Sequence, residues 1–304
     1  MKLQSNTRTD KTMENNFNQV LTDDIRRRLS GIRHIALDMD GTIYLGNSLF
    51  PYSTEFLQKM DMAGVGYSFL TNNPTKSVSD YIMKLDKMGI TATSENMYTT
   101  SLAAIDYIRC HYPAARRLFL LGTQSMISQF EQAGYISCED DADDVPDVVV
   151  AAFDPSLVYS RLCRCAWWVS QGIPYIATNP DVVCPTDMRT VLVDCGSICK
   201  CIEAATGRCP DVTLGKPDPN MLYGIMDKYG LEKEQVAMVG DRLYTDVATA
   251  CNAGALGVLV LSGETTRQQA IDVLSDPVSV VRPQLVVRDI RELGELILRS
   301  KGII

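Results

Sequence analysis

The chain has 304 residues, room for one large domain or two modest ones. Apolar residues make up 46% and charged residues 22%, the balance of an ordinary soluble globular protein. A formal net charge of −8 argues against a nucleic-acid footprint, which needs clustered Lys and Arg; a protein this acidic must gather positive potential locally to hold an anion.

Residues 1–20 are polar, with Lys2, Gln4, Asn6, Arg8 and Asp10, and read as a loosely ordered tail with no apolar secretory segment. A short helix over 23–29 ends at Gly31, and a buried strand over 34–37 runs into Asp38. The apolar run 67–70 ends in Thr71-Asn72-Asn73-Pro74. The helix behind it is capped by Ser77 or Ser79 and closed by Gly89, with Val78, Tyr81, Ile82, Leu85 and Met88 as its apolar stripe. A further helix, 101–111, stops before Pro113. From 113 to 210 the chain keeps its own rhythm: strands at 118–121, 148–152 and 175–177, helices at 124–132, 157–171 and 198–205, and an acidic loop at 139–144. Strands return at 236–239, 257–261 and 285–287; the first ends at Gly240-Asp241, and a helix over 246–252 closes at Gly254.

Strands alternating with helices predict an α/β fold with a doubly wound parallel (Rossmann-like) sheet. In such sheets ligands collect beyond the carboxyl ends of the strands. Asp38, Thr71 and Asp241 each follow a predicted strand, which points to one shared site. No stretch approaches the 18 apolar residues of a membrane span.

Three strings carry the chemistry: Asp38-Met39-Asp40-Gly41-Thr42, Gly215-Lys216-Pro217, and Gly240-Asp241-Arg242 followed by Thr245-Asp246. Taken singly they are an Asx turn, a surface turn and a βα loop with a capping Asp. In order, each beyond a strand or leading into a helix, they describe a site that binds a divalent cation and attacks phosphorus with a carboxylate. Asp38 is the candidate nucleophile, forming an acyl-phosphate. Asp40 fits a general acid for the leaving alcohol and then a general base for water. Gly41 lets the backbone approach the phosphate. Thr71 offers a hydroxyl, Asn72 and Asn73 offer backbone or amide donors, and Lys216 offsets the repulsion between Asp38 and the phosphate.

The order and spacing of these motifs resemble the haloacid dehalogenase superfamily of phosphohydrolases, in its NagD-like, nitrophenylphosphatase-type branch, over roughly residues 32–290. The resemblance implies a Mg²⁺ ion held by the Asp38 carboxylate, the Asp40 backbone carbonyl and the Asp241 carboxylate, with Asp246 supporting that shell. It also implies an α/β cap inserted into the core: 1–112 and 211–304 form the catalytic core and 113–210 the cap, whose stretches 154–159 and 179–187 face the site. The competing arrangement is one continuous large sheet. The expected activity is a cytoplasmic phosphomonoesterase acting on a small organic phosphate such as a sugar phosphate, nucleoside monophosphate, phosphoglycolate, glycerol phosphate or pyridoxal phosphate. Its partners would be that small molecule and a second copy through the cap, with no nucleic acid and no membrane. The alternative is a phospho-acceptor or phosphometabolite-binding protein that keeps the fold without turnover; such a protein is expected to lack Asp40 or Lys216, and both are present.

Ten cysteines without a secretory start suit a reducing cytoplasm. Cys195, Cys199, Cys201 and Cys209 lack the paired spacing of a zinc site, and they read, with Cys163 and Cys165, as structural residues on buried helix faces. His34 and His111 lie outside every motif, and Trp167 and Trp168 read as cap core or a cap–cap interface.

Overall fold

The computed structural model describes residues 22–72, 78–184 and 189–304. It contains two separate parallel sheets. The larger has six strands in the order Leu285–Val287, Leu256–Val260, Val236–Gly240, His34–Asp38, Gly66–Thr71, Met97–Thr99. Every neighbouring pair in it is parallel. The smaller has five, ordered Val212–Thr213, Tyr175–Ala177, Val148–Ala151, Arg117–Leu121, Ile136–Ser137, again all parallel. The single continuous sheet is thereby excluded: the chain leaves the first sheet after the helix Thr100–His111 and re-enters it at Val236.

Both sheets are buried on both faces, which is why their strands read as nearly continuous apolar runs. In the central strand Ile35 and Leu37 pack into one cluster with Phe56, Phe69 and Val239, while Ala36 packs into another with Leu70, Met221 and Met238. The smaller sheet alternates in the same way. Leu118, Leu120, Val148 and Val150 face one cluster; Phe119, Leu121, Val149 and Ala151 face the other. Period-two alternation into two cores is the signature of helices on both sides of a sheet.

Most predicted strands and helices match the observed elements within two or three residues. The helix expected over 246–252 differs, since the chain first makes a wide π turn over Leu243–Val247 before the α-helix Ala248–Ala253. The cause is Asp246, whose carboxylate turns back to accept from its own Arg242 N–H at 3.0 Å. Asn73, Ser77 and Asp187, together with the first 20 residues, lie outside the described residues. Burial of the cysteines holds for Cys165, Cys195 and Cys199, whereas Cys163, Cys201 and Cys209 are exposed. Trp168 is buried and Trp167 half exposed. The helix Tyr159–Ser170 turns only one face to its sheet.

His34 is enclosed, with its ring hydrogen-bonded to Ser68 at 2.9 Å and stacked on Tyr229. Burial, reinforced by Lys228, lowers its pKa from 6.5 to about 4. Between those values the unfolded chain binds a proton that the folded chain refuses, so stability is lost as pH falls through this window. The loss reaches roughly 3 kcal/mol at the acid end. Exchanging His34 for Gln should remove that component. Urea unfolding at pH 7 and pH 4 should show the variant losing less stability than the parent, and equal losses would mean that His34 titrates normally in the fold.

Candidate active site

The site forms where three adjacent core strands end. Asp38 closes His34–Asp38 and is aligned with Leu70, one residue before Thr71; Leu37 is aligned with Val239, two residues before Asp241. Asp38, Thr71 and Asp241 therefore reach one level above the sheet, as the parallel topology requires. Lys216 arrives from the connection that follows Val212–Thr213, and Asp246 from the π turn. Such turns recur where a helix must aim a side chain at a site.

The Lys216 ammonium, almost completely buried, lies between two carboxylates. It donates to Asp38 Oδ1 and, at 2.7 Å, to Asp246 Oδ1. Burial opposes its charge, but the Asp246 and Asp38 carboxylates outweigh that and hold its pKa above the ordinary lysine value. For Asp38 burial wins instead and raises the pKa to about 7, against the pull of Lys216 and with Asp246 adding to the rise. Asp241 is also pushed up by burial, tempered by the Glu264 N–H that its Oδ2 accepts at 2.6 Å.

Space for these carboxylates comes from glycine. Gly41 has φ of +85°, and a Cβ there would strike the Asp241 carboxylate; one at Gly263 would do the same. A Cβ at Gly240 would strike Asp246. The main-chain bond from Gly41 N–H to Tyr44 O at 2.7 Å closes the Asp38–Thr42 loop and leads into a small hairpin of Tyr44–Leu45 with Ser48–Leu49. Asp40 sits exposed at the start of that hairpin and lines the cavity above Asp38.

Asp38, Asp241 and Asp246 offer carboxylate oxygens within 4.8 Å of one another. Both oxygens of Asp246 are engaged, one by Lys216 and one by Arg242 N–H. Asp241 Oδ1 is buried with no hydrogen-bond partner among the described residues. Asp38 keeps Oδ2 after Lys216 has taken Oδ1. An orphaned buried carboxylate oxygen beside a second carboxylate is a costly arrangement unless a cation completes it, and an all-oxygen donor set suits Mg²⁺. The residues present fit such an ion, with Asp246 behind Asp38 and Asp241.

Thr71 is buried at the cavity wall, its hydroxyl hydrogen-bonded with Tyr81. Asn72 lines the cavity, and its carboxamide also clasps the Lys216 backbone, accepting from Lys216 N–H at 2.6 Å and donating to Lys216 O at 2.8 Å. The cavity has a volume of about 280 Å³. Its walls also include Asp181 and Cys184, from the stretch 179–187 expected to face the site, and four residues that the sequence reading did not single out: Tyr44, Lys84, Asp194 and Arg242. Arg242 stood inside a quoted motif and could have been found there, because a charged residue directly after a strand-end Asp has nowhere to go but the rim. Asp194 comes from the part of the chain holding the second sheet, and no spacing rule connects it to Asp38.

Residues 35–136 match the haloacid dehalogenase-like hydrolase family model, and residues 213–293 match a HAD-hydrolase-like model. An acid sugar phosphatase of Staphylococcus aureus is 32% identical over 230 residues, covering 76% of this chain and 86% of that protein. The solved 4-nitrophenylphosphatase of Thermotoga maritima superposes with a TM-score of 0.79 at 38% identity, over 88% of this chain and 98% of that one. A glycerol phosphate phosphatase of Mycobacterium tuberculosis, solved with magnesium, gives 0.77 at 26% identity over 88% and 78%. Fold and relatives define a hydrolase of phosphoric monoesters with a core sheet and a separate cap sheet. The chain belongs to the haloacid dehalogenase-like hydrolases, in their NagD-like, nitrophenylphosphatase-type branch.

Lys216 is the counter-ion of two buried acids, and removing one member of such a set leaves uncompensated charge. Lys216→Met should lower stability at pH 7 by about 3–5 kcal/mol. Thermal melts of the variant beside the parent measure it, and an unchanged melting temperature would show that Asp38 and Asp246 need no counter-charge.

Proposed function

We propose that the protein is a Mg²⁺-dependent phosphomonoesterase working through an aspartyl-phosphate on Asp38. The observation that carries this reading is the Asp38–Lys216–Asp246 ion set with the unpartnered Asp241 Oδ1 beside it, at the floor of a cavity overlooked by Asp40. The Asp38 and Asp241 carboxylates and the Asp40 carbonyl would hold the ion, which supplies charge neutralisation for the phosphate oxygens.

Lys216 aims Asp38 and favours its charged form, and shares the negative charge that accumulates as the carboxylate nears the phosphate. The Asp38 oxygen forms its bond to phosphorus while the bond to the ester oxygen breaks, and Asp40 delivers a proton to the leaving alcohol. Asp40 then takes a proton from water as that water attacks phosphorus; the Asp38–phosphorus bond breaks and inorganic phosphate leaves. Thr71 and the Asp40 main-chain N–H donate to the phosphate oxygens throughout. Gly41 keeps the Asp38–Thr42 loop close, and Asn72, Asn73 and Asp246 support the placement of Lys216 and the phosphate.

The cavity lies at the small end of the range of about 300–1,000 Å³ for ligand pockets, which favours a leaving group of sugar or glycerol size over a nucleoside. The names of the relatives, a sugar phosphatase and a glycerol phosphate phosphatase, support the same class. The segment from about 113 to 210, extended to Thr213 where its sheet ends, acts as the cap that sets this selectivity. Ten free thiols, including the unbridged Cys195 and Cys199 with sulfurs 3.8 Å apart, suit a reducing cytoplasm. Tyr159 and Trp167, exposed eight residues apart on one face of their helix, suit self-association through the cap. Lys and Arg are outnumbered by acids, 29 to 37, which leaves a small phosphomonoester rather than nucleic acid or an anionic membrane as the partner.

Chelation with EDTA should abolish turnover of 4-nitrophenyl phosphate, and Mg²⁺ should restore it; undiminished activity in EDTA rules the ion out. Asp40→Asn separates the two aspartates. With nitrophenolate, which needs little protonation on leaving, the first step survives, while hydrolysis of the phosphoenzyme falls by roughly 10²–10⁴-fold. Quenched-flow measurement should give a burst of nitrophenol followed by slow turnover, with phosphate trapped on Asp38. Absence of both burst and adduct would return the proton-transfer role to another group.

A further inference from the structure

Asn72 stands where three parts of the chain meet. Its side chain holds the backbone of Lys216 at both N–H and C=O, at 2.6 and 2.8 Å. On its other side it meets the segment after the cap strand Tyr175–Ala177, where Asn179 Nδ2 donates to Asn72 O at 3.2 Å. Asn179 is fully buried and turns the segment toward this contact, accepting from Asp181 N–H at 3.1 Å. Gly215 is wedged among the same groups; a Cβ there would press on Asn179, Asn72 Oδ1 and Thr178 O, each at 3.1 Å. A continuous run of hydrogen bonds thus leads from the cap through Asn72 to the Lys216 backbone, and from Lys216 Nζ to Asp38.

We propose that Asn72 is a positioning residue that makes the placement of Lys216, and through it of Asp38, depend on docking of the cap segment 178–181. The carboxamide is suited to this because one planar group can accept from a peptide N–H and donate to the carbonyl of the same residue. A lysine held only by its ion pairs could follow the cap, to which it is tethered through Leu214 and Gly215, whenever the cap shifts. Clasped by Asn72, it stays over Asp38, and the cap segment steadies the clasp. The consequence is that a buried cap residue with no place in the cavity wall, Asn179, controls the chemical step. The kinetic consequence rests on the phosphatase reading; the structural one does not.

The test uses the full chain as Asn72→Ala, Asn179→Ala and the double variant. With 4-nitrophenyl phosphate, each single variant should lose about 10²-fold in kcat with KM little changed, the scale of a displaced catalytic group. The double variant should fall no further than the worse single one, because both act through one link. Amide hydrogen exchange at Lys216 should speed up in Asn179→Ala, although the substitution lies in the cap. Losses that multiply in the double variant, or an unchanged Lys216 amide in a folded Asn179→Ala protein, overturn the coupling. Should Asn179→Ala melt the cap, Asn179→Asp, which keeps the volume and removes the donor, is decided by the same two readings. Exchange at Lys216 needs no turnover, so an inactive parent would sink the phosphatase reading while leaving the coupling to be judged on exchange alone.

Discussion

One buried ammonium organises this molecule. Lys216 sits between Asp38 and Asp246 and pairs with both carboxylates. Three carboxylates within 4.8 Å repel, and only positive charge brought into the same small volume makes the cluster tolerable. Much of the local backbone serves that arrangement. The π turn returns Asp246 toward its own strand, glycines at 41, 240 and 263 leave room for carboxylate oxygens, and the Gly215 turn delivers the lysine. A site built this way is electrostatically prepared before substrate arrives, which is where enzymes gain most of their rate.

The core of that arrangement was legible in the sequence because it obeys two local rules. Fully buried parallel strands appear as short apolar runs, and functional groups follow their carboxyl ends; the positions of Asp38, Thr71 and Asp241 agree with the motif strings that single them out. The shortest strands carry no period. The strands Ile136–Ser137, Val212–Thr213 and the hairpin pairing Val183–Cys184 with Leu192–Val193 are two residues each, too short to alternate. The helix Ile290–Ser300 was missed although its capping Asp289 and its Leu293, Ile297 spacing were available to be read. Asp194 could not be placed at the site, because its nearness to Asp38 is made by the packing of one sheet on another and leaves no trace in spacing; Asp181 and Cys184 were reached only as members of the stretch 179–187 that the resemblance turns toward the site.

Asn72 illustrates a subtler limit. A carboxamide just past a strand end, next to a threonine, has the chemistry of a phosphate ligand, and sequence supports that role. The structure assigns its side chain to a backbone 144 residues away. Residue type describes what a group can bond, but only the fold decides which partner reaches it first. Lys216 N–H and C=O reach it because Gly215 lets the turn come within van der Waals contact of the carboxamide.

The point at which the cap is inserted follows from the same geometry. The strand Val212–Thr213 ends the second sheet, and only Leu214 and Gly215 separate it from Lys216. A connection this short cannot absorb movement as a long linker would. The cap's last strand and the lysine that pairs with Asp38 are thus closely tethered, with Leu214 packed in the cap's own core beside Ile176 and Leu120. Placing the insertion immediately before the lysine gives the cap mechanical access to the charge balance of the site as well as a wall of the cavity. A cap inserted between, for example, Leu256–Val260 and Leu285–Val287 could still have supplied a wall, but its motions would not have been felt at Asp38.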